Sequence, residues 1–519
     1  MKKYVAYVAS PMQAFAVKSA ILRIHGKPLK QQSELTEGFE IKHAFLGETI
    51  LEVHLLTDLE SLTPFLRQAP VDLLVYDERG EDAMQALKAL AKIRSDFQSL
   101  AELWGPDFLF PMSRVVAILA GENETSQAHR AFELGRVQVR DVCVAPKNTV
   151  VVLKWMHKLL TEKIDTKNRI GVAMSGGGVE GFLYQLGVMY ALERALEGKS
   201  IHSANVFSGV SSGSICAAVL AAKIPLIEVI KAVHKKSDLL PPLNSSTVFD
   251  LASKEILTRF AAESLVFPGF NPKDWVRQTL RKIPTGFFKG EELRKYFKRC
   301  FEIIGNNDEF RSLDSELLIG ATDQDTFEHV VFGQDPWLHI PISDAIRAST
   351  ALPPVYLPAQ IQGRWFVDGQ ITRTCNLELV VERGCSLVLI IDPVKPLATL
   401  IPGSVDKLGG IHATIQAVKA LVYTRFHTTL MHLTERYPNT DFIVFQPDEE
   451  VAQLMAGSPM RYKIRTQLVE FSYRQTMRQL RDRHHVYEAK FAKFGVTMRS
   501  KKLLSEIESQ DRQLFASLN

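Results

Sequence analysis

The chain has 519 residues, 46% of them apolar and 23% charged, with 62 Lys and Arg against 58 Asp and Glu. That composition excludes disorder, a collagen-like repeat and a disulfide scaffold, and at about 150 residues per domain the length calls for two to four domains. A net charge of +4 argues against a dedicated nucleic-acid binder, yet residues 461–519 alone carry 13 Lys and Arg against 6 Asp and Glu.

The chain starts with Lys2 and Lys3, but the apolar run at 4–9 is short, and Gln13, Lys18 and Arg23 break up the stretch after it. Neither a secretory signal nor an apolar stretch of spanning length is expected, so the expected compartment is the cytoplasm, with peripheral membrane contact open. Strand patterns occur at 4–10, 51–56, 71–76, 114–120 and 139–145, with amphipathic stretches at 59–67, 82–93, 126–134 and 150–160. This alternation predicts a flavodoxin-like α/β domain over residues 1–161.

Its third strand ends on Asp77 and Pro146 comes after the fifth, an arrangement that resembles a bacterial response-regulator receiver domain. The resemblance implies a phosphorylated aspartate at position 77 and a homodimer through this domain as one allowed assembly. Receivers also need two acids after the first strand to hold Mg²⁺, a hydroxyl after the fourth, and a Lys before the Pro. Ser10-Pro11, Ala120-Gly121 and Ala145 stand there instead. The expectation is a receiver-like fold without phosphorylation, since nothing would offset the incoming charge. A plain packing or dimerising domain stays open. The polar segment 162–168 reads as the domain boundary.

The chemistry lies in the next block. A buried strand at 169–174 runs into Ser175-Gly176-Gly177-Gly178-Val179-Glu180-Gly181 and then a helical pattern at 182–196. Such a loop lets backbone N–H groups approach negative charge closely. A dinucleotide fingerprint requires a carboxylate at the end of the next strand to hold the ribose. That strand, 204–208, leads instead into Gly209-Val210-Ser211-Ser212-Gly213. This G-x-S-x-G at a strand-to-helix turn is a nucleophile elbow, with Ser211 exposed above the sheet. A serine needs a base and its tetrahedral intermediate needs donors. Gly176, Gly177 and Gly178 are the candidate donors, and Asp368, at the strand end before Gly369, is the candidate base.

Taken in order, the glycine loop to Gly181, the elbow from Gly209 to Gly213, Ala345-Ile346-Arg347-Ala348-Ser349 and Asp368-Gly369 resemble a patatin-like phospholipase over residues 169–393. The resemblance implies a three-layer α/β/α hydrolase domain, placed at 169–455, with Ser211 as nucleophile, Asp368 as base, no catalytic histidine, no metal or other cofactor, and a phospholipid or other lipid ester as substrate. Glu180 stands where the family has a basic residue and Gln370 where it has Gly or Ala, which puts rate and substrate range in doubt and keeps a catalytically silent version open. Glu180 is expected to point away from the oxyanion.

Three other features have competing readings. An α/β-hydrolase with a Ser-Asp-His triad would draw on His412, His427 or His432, which sit in a helical pattern at 411–437 and read better as packing residues. His484-His485 shows no further ligand type at metal spacing. The apolar runs 239–243 and 262–270, and the basic helical tail within 456–519, are candidate contacts to anionic membrane; core packing is the competing account. The five cysteines, at 143, 216, 300, 375 and 385, lack any CxxC spacing and read as reduced thiols.

Overall fold

The computed structural model describes residues 2–29, 36–46, 49–58, 61–69, 71–77, 79, 114–119, 139–144, 146, 148–161, 169–252, 285–396, 403–407, 409–456 and 460–518. The expected helices 82–93 and 126–134, the boundary segment 162–168 and the apolar run 262–270 lie outside these residues, as do positions 120, 121 and 145. The chain divides into two compact units. One comprises Met1–Lys167, Thr429–Phe442 and Asp482–Met498, the other Asn168–Thr428, Ile443–Arg481 and Arg499–Asn519.

The first unit holds a mixed sheet ordered β2-β3-β4-β1-β5-β6-β7. Its strands are β1 (Lys2–Ala9), β2 (Lys27–Pro28), β3 (Glu37–Ile41), β4 (Ile50–Leu56), β5 (Leu73–Asp77), β6 (Val115–Leu119) and β7 (Asp141–Val144). The five strands legible in the sequence are all parallel and run second-first-third-fourth-fifth across the sheet. Alternation along β1 explains its central place. Val5, Tyr7 and Ala9 pack with Val17, Ile21 and Met156 on one face, Ala6 and Val8 with Leu62 and Phe65 on the other. A strand apolar on both faces has to be covered by helices on both sides. The helix Pro11–Arg23 and the antiparallel edge pair β2–β3 were not expected from the sequence. β3 reads Glu-Gly-Phe-Glu-Ile, too polar to register as a strand by periodicity alone, and its register is set by pairing with β4.

The second unit is built on β8 (Arg169–Met174), β9 (Leu196–Glu197), β10 (Val206–Val210), β11 (Glu316–Asp323), β12 (His329–Phe332), β13 (Ala359–Ile361), β14 (Arg364–Asp368), β15 (Cys385–Ile391) and β16 (Asp441–Phe445). The sheet runs β13-β14-β11-β10-β8-β15-β16, with β12 on β11. β15, β8, β10 and β11 are parallel, so their C-terminal ends open on one edge, and β14 joins antiparallel to β11. The helix Gly178–Ala195 is apolar on nearly every side and buried along almost its whole length. A Cβ on its Gly187 would sit 2.5 Å from the Val469 carbonyl of the helix Arg465–Asp482, so the two backbones touch there. That contact fits the packing account for this part of the basic tail. Arg465–Asp482 buries Leu468, Val469, Tyr473, Met477 and Leu480, while Arg478 pairs with Asp448 and Arg481 with Glu508. Among the described residues no helix is long and apolar enough to cross a membrane.

Candidate active site

β8 and β10 lie side by side in parallel, with Met174 opposite Gly209, so the loops that leave them emerge together at the sheet's C-terminal edge. From β8 the chain passes through Ser175, Gly176 and Gly177 into the helix that begins at Gly178 and carries Gly181 in its first turn. From β10 it turns at Ser211 into the helix Ser212–Ala221. Ser211 sits at φ 51°, ψ −129°, a strained conformation for a residue with a side chain. The elbow is pressed against the end of β8: a Cβ on Gly213 would lie 2.4 Å from the Met174 carbonyl oxygen, and one on Gly209 would lie 2.1 Å from that of Gly213. The same closeness joins the glycine loop to the serine, since a Cβ on Gly176 would be 2.7 Å from the Ser211 Cβ.

Among the described residues, the N–H groups of Gly176 and Gly177 donate to no protein acceptor. The helix start at Gly178 adds further unspent donors. The loop therefore offers a concentrated set of dipoles beside the serine.

Asp368 closes β14, opposite Ala321 of β11, and is fully buried. Its N–H donates to the Ala351 carbonyl (3.0 Å), and its carbonyl accepts from Thr322 Oγ1 (3.0 Å). Its Oδ1 accepts the Gln370 N–H (2.8 Å), and among the described residues its buried Oδ2 has no hydrogen bond. Burial raises its pKa to about 7, against the opposing pull of the Ser211 hydroxyl and the Gln370 N–H. A carboxyl poised near neutrality suits proton transfer at ordinary pH. A Cβ on Gly369 would meet the Gly320 carbonyl oxygen at 2.2 Å, so glycine lets the turn after Asp368 close on β11.

The Ala-Ile-Arg-Ala-Ser segment has a role that motif reading left unassigned. It forms the helix Ile342–Ser349, whose terminal Ser349 hydroxyl accepts from the Ser211 N–H (2.9 Å) and donates to the Gly320 carbonyl (2.6 Å). One side chain thus ties the nucleophile's backbone to the strand that positions Asp368. Sequence reasoning also missed Arg425, which clamps the turn after Asp368 by donating to the carbonyls of Gln370 and Ile371 and to Thr374 Oγ1. It missed Asp392 as well. This buried carboxyl at the end of β15 accepts from Ser175 and from Gln446 Nε2 (2.8 Å), with a pKa pushed up to about 6 by burial.

Glu180 is buried rather than turned to solvent, and its Oε1 accepts from Arg461 Nε at 2.6 Å. Burial raises its pKa and the Arg461 guanidinium opposes the rise. Gln370 lies against the glycine loop: its Oε1 is 2.4 Å from where a Gly176 Cβ would stand, and its buried Nε2 has no acceptor among the described residues.

The serine opens into an apolar pocket walled by Val179, Phe182, Ile215, Leu243, Leu293, Phe297, Leu352, Tyr356, Met460 and Tyr462. Leu243, one of the expected membrane contacts, is a buried wall of this pocket, and Leu240 is buried too; Leu239 alone of the leucines in that run is exposed. Among the described residues no hydrogen bond joins His412, His427 or His432 to Ser211 or Asp368. His427 packs tilted against Tyr423 with ring centroids 4.1 Å apart, and burial lowers its pKa to about 4.

Two candidate sites of the first unit resolve differently. On the helix His484–Ala492, Glu488 brings a carboxylate to His484 and His485, all three ligand atoms lying within 4.8 Å of one another, which corrects the expectation that no further ligand type stands near. Asp77 is already engaged: its carboxylate accepts from the Tyr7 hydroxyl (2.7 Å) and from Arg79 Nε and Nη2 (2.8 and 2.7 Å).

Two solved structures show low similarity to the chain. VipD from Legionella pneumophila is 16% identical, with a TM-score of 0.30, over 61% of this chain and 67% of that one. The cytosolic domain of the T. maritima FeoB iron transporter is 10% identical, with a TM-score of 0.21, over 58% of this chain and 98% of that one. Neither likeness is close enough to bear on fold or function. A family described as patatin-like phospholipase matches residues 172–381, the span that holds the glycine loop, Ser211, Ser349 and Asp368, so the middle of this chain is a patatin-like phospholipase domain.

Proposed function

We propose that the protein hydrolyses carboxylic esters of lipids through a Ser211–Asp368 dyad and an acyl-serine intermediate. The observation that carries this reading is Asp368 itself: a fully buried carboxyl with Oδ2 unpaired among the described residues, a pKa near 7, and the Ser211 hydroxyl among the groups that act on it. Asp368 takes the proton of Ser211 Oγ as that oxygen attacks the ester carbonyl carbon. The N–H groups of Gly176, Gly177 and Gly178 hold the resulting oxyanion. Collapse breaks the bond to the alcohol, which leaves with the proton from Asp368. Water then attacks the acyl-Ser211, giving its proton to Asp368, and the carboxylic acid departs as that proton returns to Ser211. The apolar walls beside Ser211 suit the acyl chain.

Labelling with a fluorophosphonate probe tests the reading. An adduct on Ser211 in the wild type, absent in Ser211→Ala and strongly reduced in Asp368→Asn, is expected. A second reading, a catalytically silent patatin fold, is favoured by Gln370, whose amide fills space against Gly176. An unlabelled Ser211 in folded wild type, together with no ester hydrolysis at any acyl length, is the outcome that reading requires.

The front unit supports a receiver-like domain that does not accept phosphate, because the Asp77 carboxylate is already held by Arg79 and Tyr7. We assign it a regulatory or dimerising role. A peripheral site of action at a cytoplasmic membrane surface fits a lipid ester substrate.

A further inference from the structure

Beside the apolar pocket lies a second cleft of about 480 Å³, and the two share Met460 and Tyr462 as a common wall. The second cleft differs in chemistry: its lining includes Lys235, Arg461, Lys463 and Arg465 and, among the described residues, no acidic side chain. Arg461 is occupied by Glu180, whereas Lys235, Lys463 and Arg465 have no carboxylate partner among the described residues. This contrasts with Arg474, Arg478 and Arg481 further along the same helix, which all have acidic partners.

Arg465 is held in place with its guanidinium over the Tyr462 ring, 4.9 Å from the centroid, while its buried Nε has no acceptor among the described residues. A buried charged donor left unpaired is costly, and an anion would relieve it. Its position adds to the cost. Arg465 opens an 18-residue helix with no acid in its first turn, and Lys463 lies just before it, so two cations stand at the end where the helix dipole is already positive. Folding alone would favour acids there. Tyr462 is fixed from behind, its hydroxyl donating to the Val233 carbonyl (3.0 Å) and to that of Leu243, so the wall between the two cavities is rigidly placed.

We propose that this cleft binds a phosphate group, and that on a substrate the phosphate is the headgroup of a lipid whose acyl chain lies in the neighbouring pocket. The proposal rests on the hydrolase reading for the substrate's orientation, but the anion site stands on Lys235, Lys463 and Arg465 alone. Lipid esters bearing a phosphate near the ester, rather than neutral acylglycerols, are then the preferred class.

The test uses the full chain carrying Ser211→Ala, so that binding is measured without turnover. Inorganic phosphate, dihexanoylphosphatidate and dihexanoylglycerol are titrated by calorimetry, all as monomers so that no membrane surface contributes. We expect the phosphatidate to bind at least about tenfold more tightly than the diacylglycerol, a difference that one charge-assisted contact supplies. Adding Lys463→Gln and Arg465→Gln should erase that ratio. Raising the salt should weaken phosphatidate binding but not diacylglycerol binding in the parent protein, which keeps the test valid even if the triple variant misfolds. Inorganic phosphate binding as tightly as phosphatidate, and lost in the same variant, upholds the anion site and identifies free phosphate as its source. Equal binding of the phosphatidate and the diacylglycerol, insensitive to salt and with no binding of phosphate, overturns the proposal. Failure of the wild type to hydrolyse either dihexanoylphosphatidate or dihexanoylglycerol defeats the hydrolase reading instead, and leaves these binding comparisons intact.

Discussion

Asp368→Asn is the perturbation that separates structure from chemistry most cleanly, because asparagine keeps the shape and the Oδ1 acceptor for the Gln370 N–H while removing the titration. The aspartate's pKa stands at about 7 in the fold against an ordinary 3.8, with burial as the dominant cause. Its protonated form is thus the one the fold prefers. The stability it contributes is complete below about pH 4, declines as pH rises, and is lost once pH passes about 7. At about 1.4 kcal/mol per pH unit, the span corresponds to a cost on the order of 4 kcal/mol for holding the ionised carboxylate. The asparagine variant does not bear that cost. Its urea-unfolding free energy, compared with wild type, should therefore gain on the order of 4 kcal/mol between about pH 4 and about pH 8. Asp392, also raised, to about 6, is present in both proteins and drops out of the difference. At pH 7 and above, kcat/KM of the variant on a soluble short-chain ester should lie about 10²–10⁴-fold below wild type, the usual contribution of a positioned base. In the wild type kcat/KM should rise about tenfold per pH unit below about 7 and then level. A stability difference independent of pH, or an activity profile whose acid limb lies near 4, would refute the assignment of Asp368 as a desolvated base.

Ser349→Ala removes the hydroxyl that links the Ser211 N–H to the Gly320 carbonyl, so a loss of about 1–3 kcal/mol in stability and a lower kcat at little-changed KM are expected from unfolding and steady-state assays. Arg461→Ala strands the buried Glu180 carboxylate and should cost about 2 kcal/mol, below the value for a fully buried pair because Arg461 is 38% exposed. Adding Glu180→Gln should restore most of that loss in thermal unfolding, and no recovery would mean that the pair is not what Arg461 supplies. Acetyl phosphate with Mg²⁺ should leave Asp77 unmodified by intact-mass measurement, since Arg79 and Tyr7 already occupy its carboxylate.

The parts of the fold that were legible are those whose signal is local. The continuous apolar run of β1 and the glycine punctuation after β8 and β10 reflect needs of a few neighbouring residues. What escaped was the weakly apolar β3, which depends on β4 for its register, and the helix Pro11–Arg23, which leaves Met12 and Phe15 exposed and so breaks the expected periodicity. For residues 456–519 the charge pattern leaves lipid contact and core packing both open, and only the tertiary structure shows Arg478 paired with Asp448 and Arg481 with Glu508.

By itself the sequence determined the candidate chemistry: a serine between glycines at a strand-to-helix turn, a glycine loop before it and an aspartate before a glycine after it, because sharp turns and close backbone contacts demand those residue types wherever they occur. Tertiary structure alone decided what those groups can do. Asp368 reaches a pKa near 7 only because the fold buries it. Ser349 braces a serine 138 residues earlier in the chain, and Glu180 meets its counter-ion 281 residues later. Lys463 and Arg465 differ from Arg474, Arg478 and Arg481 of the same segment in having no acid beside them among the described residues. Desolvation and long-range pairing depend on which surfaces meet, and no local pattern records that.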